Sequence, residues 1–163
     1  MLMQHFQMLA CYNKLANHKL YETCAQLPDA ERKCRRPAFF RSIHGTLNHI
    51  LVGDRIWMTR FVGGTIPSTG LDMIIYQDFE ELWAARTAED DRIEAFITHL
   101  PDGFLMRTIE YINSKGIVYS DPAPLLLAHF FNHQTHHRGQ IHDMITQTEI
   151  SPPMLDMHRV IHP

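Results

Sequence analysis

The stretch Leu127-Ala128-His129-Phe130-Phe131-Asn132-His133-Gln134-Thr135-His136-His137-Arg138-Gly139-Gln140 decides how this chain is read. Asp121-Pro122 supplies an N-cap and an N1 proline for a helix that continues to about Gln147. On that helix His133 and His137, four residues apart, share one face. Leu126, His129, Phe130, Gln140, Ile141 and Met144 lie around the same stripe, whereas Gln134, Thr135, Arg138 and His142 fall on the other side. Two imidazoles therefore occupy the expected core-facing stripe. Burying them without partners is costly, so something must satisfy them.

The rest of the chain reads outward from this helix. Residues 2–27 are amphipathic, with Phe6, Leu9, Tyr12, Ala16 and Leu20 at three- and four-residue steps, and Pro28-Asp29 ends them. Ser42 is an N-cap for a second helix to about Phe61, stopped by Gly63-Gly64. A loop containing Pro67, Ser68 and Gly70 follows, and Asp78 with Glu81 opens a third helix to about Leu100. Thr108–Ile112 and Gly116–Tyr119, separated by Asn113-Ser114-Lys115, predict a small β-hairpin. Beyond Glu149, Pro152-Pro153 argues against regular helix, although the tail carries Met154, Leu155, Val160 and Ile161. Four helices of about 20–27 residues, each roughly 30–40 Å long, predict an all-α four-helix bundle with the hairpin between helices three and four. Residues 1–163 form one domain, and the long 62–78 connection permits a crossover.

Composition closes off other classes. With 45% hydrophobic, 20% charged, 8 Gly and 9 Pro residues the chain is neither disordered, collagen-like nor a disulfide scaffold. A net charge of −3 gives no basic footprint for nucleic acid. No run approaches 18 apolar residues, which speaks against a membrane span. Cys11, Cys24 and Cys34 lack CxxC spacing, and Met1-Leu2-Met3-Gln4-His5-Phe6 has no basic n-region, so a cytoplasmic location with reduced thiols is expected.

A His-x3-His pair on a helix is a two-ligand platform for a transition metal, or else a pair of core histidines bonded to backbone or to each other. A zinc-protease reading fails, because position 134 is Gln where HExxH has its general base. A third ligand would come from helix two, where His49 shares a face with Gly45, Val52, Gly53 and Ile56; His44 points about 140° away at 100° per residue.

His49-x4-Asp54-Arg55-x-Trp57 followed by His133-x3-His137-Arg138-Gly139-Gln140 resembles the damage-inducible DinB family of metal-dependent four-helix-bundle proteins. Tyr12-Asn13 with Ala16-Asn17, and Phe39-Phe40-x-Ser42-Ile43-His44-Gly45-Thr46-Leu47-Asn48-His49, extend the resemblance over nearly the whole chain. It implies an up-down-down-up bundle with residues 62–78 as the crossover between helices two and three. It also implies metal ligands at His49, His133 and His137, with His136 outside the set. Gly53 stands where many relatives have Ala. The family includes thiol-dependent S-transferases and isomerases, and the resemblance further implies a homodimer; the apolar tail from Met154 to Ile161 needs a covering surface, either a partner's or that of its own bundle.

Three neutral imidazoles leave the charge of a divalent ion, Zn or Ni, uncompensated and one coordination position open. An anionic fourth ligand is then favoured. Hydroxide would mean metal-assisted hydrolysis, and thiolate would mean activation of a small-molecule thiol for attack on an electrophile. A non-catalytic metal-binding stress-response module is the third reading, marked by a closed fourth position. Gln140 is the candidate for contact with bound water or substrate; the alternative is a polar group satisfied by backbone or solvent. No other catalytic residue is identified: Arg138, Asp54 and Arg55 are expected in packing and ion pairs, and the cysteines have no metal-like partners.

Overall fold

Local signals set the long helices. Ser42 Oγ accepts a hydrogen bond from the Gly45 amide at 2.9 Å and starts a helix over Ile43–Val62, which Gly63 ends at φ 77°. Asp78 Oδ1 accepts from the Glu81 amide at 2.9 Å and starts Phe79–Thr98. A computed structural model describes residues 1–66, 70–113 and 115–163; Pro67 and Ser68 of the predicted crossover and Ser114 of the hairpin turn lie outside the described residues. In chain order the elements are α1 (Leu2–Ala25), α2 (Asp29–Lys33), α3 (Ile43–Val62), α4 (Phe79–Thr98), a 3-10 turn (Phe104–Met106), β1 (Thr108–Ile112), β2 (Val118–Pro122), α5 (Ala123–Ile145) and α6 (Met157–Ile161). No helix among the described residues is long and apolar enough to cross a membrane.

Side-chain pairs give the direction of each helix. Tyr21 stacks on Phe79 while Lys14 bonds Glu94, so α1 and α4 are antiparallel. Asp54 meets Arg86 and Phe61 meets Phe96, so α3 and α4 run parallel. His49 meets His137 and Trp57 meets His129, so α5 opposes α3. The bundle is up-down-down-up, as the resemblance implies, and the 63–78 connection is its crossover.

Two apolar clusters fill its ends. Phe6, Phe61, Ile93, Phe104 and Phe130 pack in one, and Leu20, Leu47, Leu51, Leu82 and Ile141 in the other. Between them in sequence on every long helix lie buried polar residues: Asn13 and Asn17, Asp54, Arg86 and Asp90, Gln134 and Arg138. Arg138 donates to Asn13 and Asn17, Asn17 donates to Asp90, and Arg86 bridges Asp54 and Asp90. Gln134 and Arg138, on the side away from the histidines, are thus interior, and Arg138 has the helix-packing role expected of it. Helix α5 packs against both α1 and α3, so the side away from the histidines is buried as well.

Three expectations are corrected. The second strand runs Val118–Pro122, two residues later than Gly116-x-x-Tyr119 suggests. Asp121 pairs across the sheet with Ile109 and accepts a hydrogen bond from Tyr111 at 3.0 Å, so it does not cap α5, whose first turn carries Pro124 instead. The tail is not wholly irregular: α6 forms after Pro152-Pro153 and seats Val160 against Tyr12 and Ala16. Tyr12 Oη donates to the Leu155 carbonyl at 2.7 Å. Val160 of the tail is covered by its own bundle, with Leu155 and Ile161 packed beside it, while Met154 stays exposed.

Candidate metal centre

Helix α3 carries His49, and α5 carries His133 and His137 one turn apart on the facing side. Their Nε2 atoms converge, with separations of 3.1 Å (His49–His137), 3.1 Å (His133–His137) and 3.3 Å (His49–His133). Among the described residues these three make the one group of His, Cys, Asp or Glu side chains that could hold a metal ion.

The opposite ring nitrogens show which atoms carry protons. His49 Nδ1 lies 2.7 Å from the Leu71 carbonyl oxygen, which can only accept, so Nδ1 is the donor. His137 Nδ1 donates to Gln140 Oε1 at 2.8 Å, and Gln140 Nε2 donates to His136 Nε2 at 3.2 Å. In the neutral rings the Nε2 atoms of His49 and His137 are therefore bare lone pairs, and they face each other at 3.1 Å. Two acceptors do not attract. A cation between them does attract both, and bonds of about 2.0–2.1 Å in a tetrahedral set hold nitrogens roughly 3.3 Å apart. The three observed separations match that edge. The residues fit a transition-metal ion.

Burial keeps the rings neutral. It pushes His49 down to about 4, assisted by His137 and opposed by the Leu71 bond. It pushes His133 down to about 3, with His137 and His49 adding to the effect, and lowers His137 too. Neutral imidazole is the form that binds a metal.

The surroundings are asymmetric. Phe40 stacks on His49 with ring centroids 3.6 Å apart and meets His137 edge-on at 5.5 Å, closing one side. On the other side His49 and the half-buried His133 line a cleft of about 1120 Å³ that continues past Gly53, Trp57 and Tyr111. A Cβ on Gly53 would stand 3.0 Å from His133 Cε1, so the glycine makes room for that ring.

The inward-turned acids of α4 are engaged elsewhere: Glu89 pairs with Arg55 and Arg92, and Asp90 with Arg86. Asp54 is bound to Arg86 at 2.5 Å. His44 is buried and its Nε2 donates to the Tyr76 carbonyl at 2.8 Å, while His136 is exposed. Cys11, Cys24 and Cys34 are free thiols outside the group. Gln140, expected to face water or substrate, bonds the ring of His137. The Leu71 carbonyl escapes a sequence reading, and Phe40 enters it only within the Phe39–His49 motif, with no sign that it covers the histidines: both lie outside the helices, where no periodicity points to a site.

The sequence model described as the DinB family matches residues 1–163. The chain is 23% identical over 145 residues to "Protein DinB" of Bacillus subtilis (strain 168), covering 83% of this chain and 81% of that one. Its fold is similar to the crystal structure of a DinB-like protein from Bacillus cereus ATCC 10987, with TM-score 0.64 at 18% identity over 85% of this chain and 89% of that one.

Proposed function

The chain belongs to the DinB family, and from that membership we propose that it binds one divalent transition-metal ion, zinc or nickel, through His49, His133 and His137. The observation that carries this reading is the pair of facing lone pairs on His49 and His137, each fixed by a hydrogen bond on the far side of its ring. Such outer bonds orient metal ligands and raise their basicity. Gln140 and the Leu71 carbonyl do this work here.

We further propose a metal-dependent transferase that uses a low-molecular-weight thiol. When bound, the ion supplies Lewis acidity that lowers the pKa of a coordinated water or thiol towards neutrality. The protein's own contribution is charge and access. Its three rings are neutral and no carboxylate joins them among the described residues, so an anionic small molecule entering from the cleft is favoured. Phe40 excludes water on the closed side. In the reaction the thiol sulfur bonds an electrophilic carbon, the leaving group departs with the bonding pair, and the thiol proton passes to solvent. The metalloprotease form of hydrolysis has no base here: Gln134, the position of the base in HExxH, is buried among Asn17 and Arg138.

Cobalt-substituted protein titrated with small thiols tests the open position. A thiolate-to-cobalt charge-transfer band is expected. An unchanged spectrum at millimolar thiol, with a protein carboxylate found on the metal, would leave a structural metal site and remove the transferase.

A further inference from the structure

The cleft beside the histidines holds a cation that the metal site does not use. Arg60 lies two turns beyond Gly53 on the same side of α3 and lines the same cleft as His133. Its guanidinium carbon sits 4.4 Å over the Trp57 ring and 4.8 Å over the Tyr111 ring, two aromatic rings that are themselves 5.3 Å apart. One Nη2 proton goes to the Ile112 carbonyl at 3.0 Å. Among the described residues no carboxylate pairs with Arg60, and its buried Nε has no partner.

This arrangement is unlike the other interior arginines. Arg86 is held by the carboxylates of Asp54 and Asp90, and Arg138 by the side-chain amides of Asn13 and Asn17. Arg60 is instead orientated by an aromatic platform and one backbone bond, which leaves most of its five N–H donors available. A guanidinium is a planar fork of donors, the shape that matches carboxylate and phosphate. Partial burial strengthens the attraction relative to an exposed lysine or arginine.

We propose that Arg60 is a specificity-determining residue, binding the carboxylate or phosphate group of a small substrate whose reacting end lies at the three histidines. The inference rests on the proposed function for the role of the histidines. Gly53, beneath His133, and Arg60 are seven residues apart, about 10 Å of backbone at 1.5 Å per residue, and the guanidinium reaches back over Trp57, so the anion sits within about 10 Å of the metal centre along the helix. Trp57, Ile56 and Tyr111 line the space between, which suits an apolar or aromatic body. The substrate is therefore an elongated monoanion or dianion, with its charged group remote from the bond that changes.

The test is calorimetric titration of metal-free protein with 4-phenylbutyrate, its neutral amide and phenyl phosphate. Removing the metal keeps the anions from binding there. Wild-type protein is expected to bind at least one of the two anions about tenfold or more tightly than the amide. Arg60→Gln should erase the difference, and Arg60→Lys should retain part of it. Carboxylate and phosphate binding separately identify which anion is preferred. Wild-type protein that binds anions and amide alike, or Arg60→Gln protein that still discriminates, would overturn the proposal. Metal content of both variants should match wild type, so a failed metal site and a failed anion site are distinguishable.

Discussion

His49 Nε2 and His137 Nε2 stand 3.1 Å apart while the Nδ1–H of each ring is already given to an oxygen, that of Leu71 in one case and of Gln140 in the other. The protein has thus aimed two lone pairs at a common point. The two apolar clusters hold the helices that carry them, so this convergence does not depend on an ion to fold the chain.

Chelation should therefore lower the thermal midpoint without unfolding the bundle. An ion present at a thousand times its Kd adds about 4 kcal/mol to the folded state, and its removal withdraws that amount. The far-UV circular dichroism of the metal-free protein at 25 °C is expected to stay helical. Loss of the helical signal on chelation would mean that the site builds the fold, as in a zinc finger.

Gln140→Ala should weaken metal binding by roughly 10–100-fold, because it removes the acceptor that orients His137. Competition with a chromophoric chelator measures it. Gln140→Glu keeps an acceptor and should bind at least as tightly as wild type. Unchanged affinity in the alanine variant would return Gln140 to the role of a substrate contact.

The histidines should resist protonation. Burial holds His49 at about 4 and His133 at about 3 in the metal-free protein, against about 6.5 for a free imidazole. Their depressed values mean that the unfolded chain takes up protons first. Their contribution to metal-free stability is complete above about pH 6.5 and is lost as pH falls through 4 and then 3. Imidazole proton shifts at pH 5.5 are expected to report neutral rings. A protonation midpoint near 6.5 for either would contradict the buried geometry.

The polar layer should matter for stability and not for metal affinity. Arg86→Leu leaves Asp54 and Asp90 buried without their guanidinium, a loss of about 3–5 kcal/mol by analogy with other broken buried pairs. Urea unfolding measures the loss. The folded fraction should still bind one ion.

Much of this was legible in the sequence because its causes are local. The Ser42 and Asp78 caps, the Gly63 stop and the His133–His137 spacing each act within one helical turn, and each appears where expected. Direction and crossover came from the DinB resemblance, since no local signal orders helices in space. What escaped depends on distant partners. Asp121 has the chemistry of a cap, but Ile109 and Tyr111 draw it into a strand. Periodicity puts Gln134 and Arg138 on the face away from the histidines, and only Asn13 and Asn17 of α1 show that this face is interior too. Periodicity alone puts Gln140 near the site; only the side-chain geometry shows that it holds a ring.

Metal stoichiometry tests the central claim most directly. Protein produced without an affinity tag, together with its His49→Ala, His133→Ala, His137→Ala, His44→Ala and His136→Ala variants, should be analysed for bound zinc, nickel and other transition metals. One ion per chain is predicted for wild type, His44→Ala and His136→Ala, with a sharp loss in each of the other three while they remain helical. Wild-type stoichiometry in the His133→Ala variant, or equal loss on replacing His136, would contradict the three-histidine site.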